Sequence, residues 1–127
     1  MTAQEAQVEG GPALPELPRP PYVAVIFTSI RTAEDDEGYA LAAAAMERLA
    51  AEQPGYLGIT SVRDPNTRLG VTVSYWATDD DARAWKQVTE HREVQRLGRT
   101  RWYDRYLVEI AQVDRVYGST DPGAAAG

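Results

Sequence analysis

Apolar positions recur along this chain with two alternating spacings. From Tyr22 to Ile30 the residues are β-branched or aromatic and apolar on both alternating faces, which predicts a strand buried on both sides. A polar loop follows, Arg31 to Gly38. Between Gly38 and Gln53 the spacing lengthens: Tyr39, Ala42, Ala43, Met46, Leu49 and Ala50 form one stripe at i, i+3, i+4 and i+7, which predicts an amphipathic helix. Pro54-Gly55 ends it. Tyr56–Arg63 and Leu69–Trp76 predict a second and a third strand, joined as a hairpin through the turn residues Asp64-Pro65-Asn66. Leu69, Val71, Val73 and Tyr75 share one face of the third strand. Thr78 suits an N-cap, with Asp79, Asp80 and Asp81 in the first turn, where the helix dipole favours negative charge. That second helical stretch is expected to reach about Arg105, with Gly98 as its weak point. The last strand is expected over Tyr106–Tyr117.

The order β-α-β-β-α-β predicts an α+β, ferredoxin-like fold: two right-handed crossovers, a four-stranded antiparallel sheet and both helices on one face. The helices cover only that face. Yet the first strand is apolar on both sides, and the last has Val108 and Ile110 on one side and Leu107, Ala111 and Val113 on the other. The open face therefore calls for a second copy of the chain, a homodimer.

The ends read differently. Residues 1–20 carry Pro12, Pro15, Pro18 and Pro20, with Pro21 directly after them. Prolines lack amide donors, so a disordered or extended arm is expected there. The domain is expected over 21–118, and the Gly/Ala-rich segment 119–127 as a flexible tail.

Composition narrows the chemistry. The 127 residues suffice for one domain with a modest core. The absence of Cys excludes disulfides and thiolate chemistry, and a single His excludes a His-rich metal site within one chain. The net charge of −6 argues against nucleic acid as a partner. No apolar run approaches the ~20 residues a membrane span needs, and the acidic N-terminus lacks the basic region of a signal peptide. A cytoplasmic location is expected. No Gly-x-Gly-x-x-Gly, phosphate loop or nucleophile elbow is present.

Several segments, taken together, resemble a known family. They are Val25-Ile-Phe-Thr-Ser-Ile-Arg-Thr32, Gln53-Pro-Gly-Tyr-Leu-Gly58, Val73-Ser-Tyr-Trp76, Ala84-Trp-Lys86 with Glu90-His91, and Trp102-Tyr103 with Tyr106. In this order and spacing they resemble the antibiotic biosynthesis monooxygenase domain over about residues 22–117. The resemblance implies a dimeric α+β barrel with a pocket between sheet and helices in each subunit. It implies oxidation of a small aromatic, a phenol or quinol, by O₂ with no cofactor: no flavin, haem or metal. Some relatives cleave haem, using an Asn on the first strand, a Trp and an axial His. Ile30 stands at the Asn position here, and His91 lies nearer to Trp85 than that pattern has it, which ranks haem cleavage low.

Within that frame His91 is the candidate base, because an imidazole titrates near neutrality. It is also readable as a partly buried His bonded to a carbonyl or carboxylate. Arg31 is the candidate group to orient an anion, or else a surface arginine paired with Glu34, Asp35, Asp36 or Glu37. Trp76, Trp85 and Tyr103 are candidates for an aromatic pocket wall, with core packing as the alternative. Ser29, in the same family-like segment as Arg31, is counted with them as substrate-binding. The basic run Arg92, Arg96, Arg99, Arg101 and Arg105 complements a helix dipole more simply than it guides a substrate. The rival to the enzyme is a non-catalytic ligand-binding or stress-associated dimer of the same fold.

Overall fold

The computed structural model describes residues 13–91 and 101–118, apart from the side chains of Glu90 and His91. Its elements are β1 (Tyr22–Arg31), α1 (Asp36–Ala51), β2 (Tyr56–Arg63), β3 (Leu69–Trp76), α2 (Asp79–His91) and β4 (Tyr103–Val113). The strands form one antiparallel sheet in the order β2-β3-β1-β4. This is the ferredoxin-like arrangement expected from the sequence.

Both ends of α1 and of β4 differ from the expected ones. Helix α1 starts before Gly38, because the Asp35 carboxylate accepts from the Gly38 amide at 3.1 Å and caps the first turn. It stops at Ala51, since Gln53 precedes Pro54, whose ring disfavours the helical region for the residue before it. Strand β4 starts at Tyr103, so Tyr103–Arg105 are strand and not the end of the second helix. Its length is set by β1: pairing runs from Tyr22 with Val113 to Arg31 with Tyr103. Beyond Val113 the partner would be Pro21, which has no amide to donate, so the strand does not continue to Tyr117.

Register assigns each side chain to a face. Val23, Val25, Phe27 and Ser29 of β1 point to the helices, level with Trp76, Ser74, Thr72 and Gly70 of β3 and with Gln112, Ile110, Val108 and Tyr106 of β4. The core under the helices is Val23, Ala50, Trp76 and Ala82, with Val25, Tyr56 and Trp85 packed against it. Trp76 is fully buried and donates from Nε1 to Ser74 Oγ at 2.9 Å, so its one polar group is satisfied. Helix α2 is held at its start by Thr78, whose Oγ1 accepts from the Asp81 amide at 3.1 Å.

On the other face lie Ile26, Val71, Val73 and Leu107. Val62, Leu69 and Leu107 there are 66%, 47% and 57% exposed. Residues 13–20 run without helix or strand, and Leu17 and Pro15 lie over Gly58 of β2. The rest of the expected arm, residues 1–12, and the tail from 119 to 127 lie outside the described residues. Among the described residues no helix is long and apolar enough to cross a membrane.

Candidate functional site

A cavity of about 700 Å³ lies between the sheet and the two helices. Helix α1 lines it with Tyr39, Ala42, Ala43 and Met46, the first part of the stripe read from the sequence. Helix α2 contributes Asp79, Ala82, Trp85, Lys86 and Thr89; the floor is Val25 and Phe27 of β1 with Ile59, Ser61, Thr72 and Ser74. Tyr106, Val108 and Ile110 of β4 also line it and are 43%, 48% and 50% exposed, so the cavity opens along β4.

Its two ends differ in chemistry. At one end Trp85 stacks on Trp76, ring centroids 5.5 Å apart. The other end is an aromatic cluster. Phe27 meets Tyr103 at 5.2 Å and Tyr106 at 5.6 Å, and Tyr39 meets Trp102 at 5.9 Å and Tyr103 at 5.8 Å. Most of these pairs are edge-to-face, which suits ring quadrupoles.

Behind that cluster sit the guanidinium groups of Arg31 and Arg63. Arg31 is only 5% exposed. It donates to Asp36 Oδ1 at 2.6 Å and to the Glu34 carbonyl at 2.8 Å, and its Cζ lies 4.0 Å from the centre of the Tyr39 ring. Its Nε is buried with no partner among the described residues. Arg68 also donates to Asp36, and these two arginines hold the Asp36 carboxyl below the usual range, Arg68 first and then Arg31. Arg63 donates to Ser29 Oγ at 2.7 Å, the Ser29 carbonyl at 3.1 Å, the Arg68 carbonyl at 2.6 Å and Tyr39 Oη at 3.3 Å. Tyr39 Oη and Tyr103 Oη stand 3.4 Å apart. Burial, and the bond with Tyr39, push the Tyr103 phenol well above the usual tyrosine value.

The singled-out residues whose side chains are described fall into three places. Trp85 and Tyr103 line the cavity. Trp76 lies beneath Trp85 in the core, and Ser29 and Arg31 lie behind the aromatic cluster, tied to Arg63 and Asp36 respectively. His91 is the last residue of α2, and its side chain lies outside the described residues.

Arg63 and Tyr39 were not singled out in the sequence as site residues. The signal for Arg63 is its period-2 spacing from Ile59 and Ser61, which puts a cation on the inner face at the strand's end. Among the described residues no cluster of His, Asp or Glu is arranged to hold a metal ion.

An antiparallel four-stranded sheet with two helices on one face and an aromatic cleft between them defines a ferredoxin-like domain. The chain belongs to the antibiotic biosynthesis monooxygenase family, whose model matches residues 21–97. It is 48% identical over 102 residues to the uncharacterized protein YqjZ of Bacillus subtilis, covering 80% of this chain and 88% of that one. The fold is shared with SnoaB of Streptomyces nogalater, a cofactor-independent oxygenase. That match has TM-score 0.59 and 13% identity, over 76% of this chain and 97% of the other. It is shared also with PA3566 of Pseudomonas aeruginosa, at TM-score 0.59 and 19% identity, over 78% of this chain and 98% of that one.

Proposed function

We propose that this protein is a cofactor-independent monooxygenase that oxidises a small aromatic, a phenol or quinol, with O₂. The observation that carries the reading is the cavity: about 700 Å³, walled by Phe27, Trp85, Trp102, Tyr103 and Tyr106, a shape and lining suited to a flat ring system. The cofactor-independent oxygenase activity of SnoaB supports it at the level of the fold.

The chemistry balances without a cofactor. Removal of the phenolic proton gives an electron-rich anion, which passes one electron to O₂. The two radicals combine at a ring carbon. The resulting peroxide breaks its O–O bond, leaving one oxygen on the ring as a quinone carbonyl and releasing the other as water with the two hydrogens the substrate loses. His91 is the proposed base, since its ordinary pKa near 6.5 suits a proton transfer at neutral pH. Arg31 acts through the Tyr39 ring it covers, with its own donors directed to Asp36 and Glu34. The functional unit is a cytoplasmic homodimer formed through the outer sheet face, where Val62, Leu69 and Leu107 are exposed.

Purified protein incubated with a panel of phenols and hydroquinones should consume one O₂ per quinone formed. His91→Ala should lower that rate by about 10²-fold or more. Uptake no faster than in buffer rejects the enzyme. The engagement of Arg31 with Asp36 and Glu34 favours a second reading, a non-catalytic binder. That reading expects the same aromatics to bind without oxygen uptake.

A further inference from the structure

Tyr39 of α1 and Tyr103 of β4 both line the cavity, and their hydroxyl oxygens are 3.4 Å apart. Arg63 Nη2 lies 3.3 Å from Tyr39 Oη. A guanidinium carries donors only, so Tyr39 must accept from it. The Arg63 group cannot swing away, because its other Nη–H bonds go to the Ser29 carbonyl, Ser29 Oγ and the Arg68 carbonyl.

Counting protons gives the consequence. Two phenols bring two. The bond between them uses at most one, and the bond from Arg63 uses neither. At least one phenolic O–H is therefore left without an acceptor among the described residues, on a pair of side chains that wall the cavity. At 3.4 Å the bond between the phenols is longer than the ~2.7 Å of a tight O–H···O bond, so a ligand oxygen competes well for a proton.

We propose that Tyr39 and Tyr103, fixed by Arg63, form a donor pair that binds an oxygen acceptor of the ligand, the carbonyl or ionised hydroxyl oxygen of a planar aromatic. The assignment rests on the reading of this cavity as the substrate site. It selects among aromatics: a ring system with an accepting oxygen at that end is held, and a bare hydrocarbon of the same shape leaves the O–H unmatched. The burial that keeps Tyr103 protonated makes the pair a donor and not a base.

The test is binding, which does not require turnover. The 2-trimethylammonium derivatives of anthraquinone and anthracene share three fused rings and a cation with no accepting atom, and only the first has carbonyls to accept. Calorimetric titration of the full chain should show the quinone bound about fivefold to tenfold more tightly, the worth of one buried hydrogen bond. Tyr39→Phe and Tyr103→Phe each leave one O–H and should keep most of that preference. The double variant should lose it while still binding the anthracene. Equal binding of both compounds by the unaltered protein, or a preference that persists in the double variant, overturns the donor pair and leaves the cavity reading standing. Binding of neither compound overturns both. Infrared spectroscopy of the quinone bound to the unaltered protein checks the pair without any variant. The carbonyl stretch should fall relative to an apolar solvent, and an unshifted band overturns the proposal.

Discussion

Trp76 and Trp85 stack with their planes 25° from parallel, and the first is fully buried while the second reaches the cavity. One ring anchors the fold and the other sits on it as wall. Trp76→Ala should cost about 3–5 kcal/mol of stability in denaturant unfolding, because it opens a hole among Val23, Ala50 and Ala82. Trp85→Ala should cost about 1–2 kcal/mol less than that, with a larger effect on ligand affinity than on stability. Equal stability losses at the two positions would show that Trp85 is core as well.

Ser29 is 1% exposed and accepts from Arg63. Ser29→Ala removes that acceptor and leaves a cationic donor without it, so stability should drop by about 1–3 kcal/mol in urea titration. A loss under a few tenths would mean that Arg63 re-pairs elsewhere.

Asp36 is held below the ordinary aspartate value of 3.8 by Arg68 and Arg31. A depressed native value means that the unfolded chain takes up the proton first as pH falls. The contribution of this carboxylate is therefore present above the ordinary value and lost as pH falls through the native one. The urea midpoint should fall below about pH 4, and Asp36→Asn should flatten that limb. Identical acid limbs for the two proteins would assign the effect to other carboxylates, of which Asp64 is one: its value is lowered by the Thr67 and then the Asn66 amide.

The dimer proposal makes a mass prediction. Light scattering at micromolar concentration should give twice the 14.0 kDa of one chain. Leu107→Asp, on the outer face, should weaken association by about 10- to 100-fold, as the loss of one buried leucine implies. A monomer mass for the unaltered protein would remove the proposal.

The strands β2 and β3 were legible to the residue, because period-2 alternation is bounded there by Pro54-Gly55, the Asp64-Pro65-Asn66 turn and Thr78. The start of β4 was not. Its first residues follow a basic, aromatic stretch whose composition fits helix as well as strand, and only pairing with β1 decides between them. Trp85 and Tyr103 were readable as wall residues from aromatic type alone. Trp76 was not separable from them, since type and face are the same and only its depth along β3, under Ala50 and Ala82, makes it core. Tyr39 was legible as part of the α1 stripe but its hydroxyl's partners were not. Arg63 and Tyr103 are far from it in sequence, and only the packing of α1 on the sheet brings the three together.

The sheet places β1 between β3 and β4, and its alternate residues serve opposite surfaces. Slipping this strand by one position would carry Val25 and Phe27 out of the cavity floor and Ser29 away from Arg63 in the same movement, putting Ile26, Thr28 and Ile30 in their places. The hydrocarbon floor and the cationic end therefore have a single alignment in common. Neither half of the site can assemble without the other, so a molecule with correctly paired strands has both, and a misaligned one has no partial version to offer a ligand.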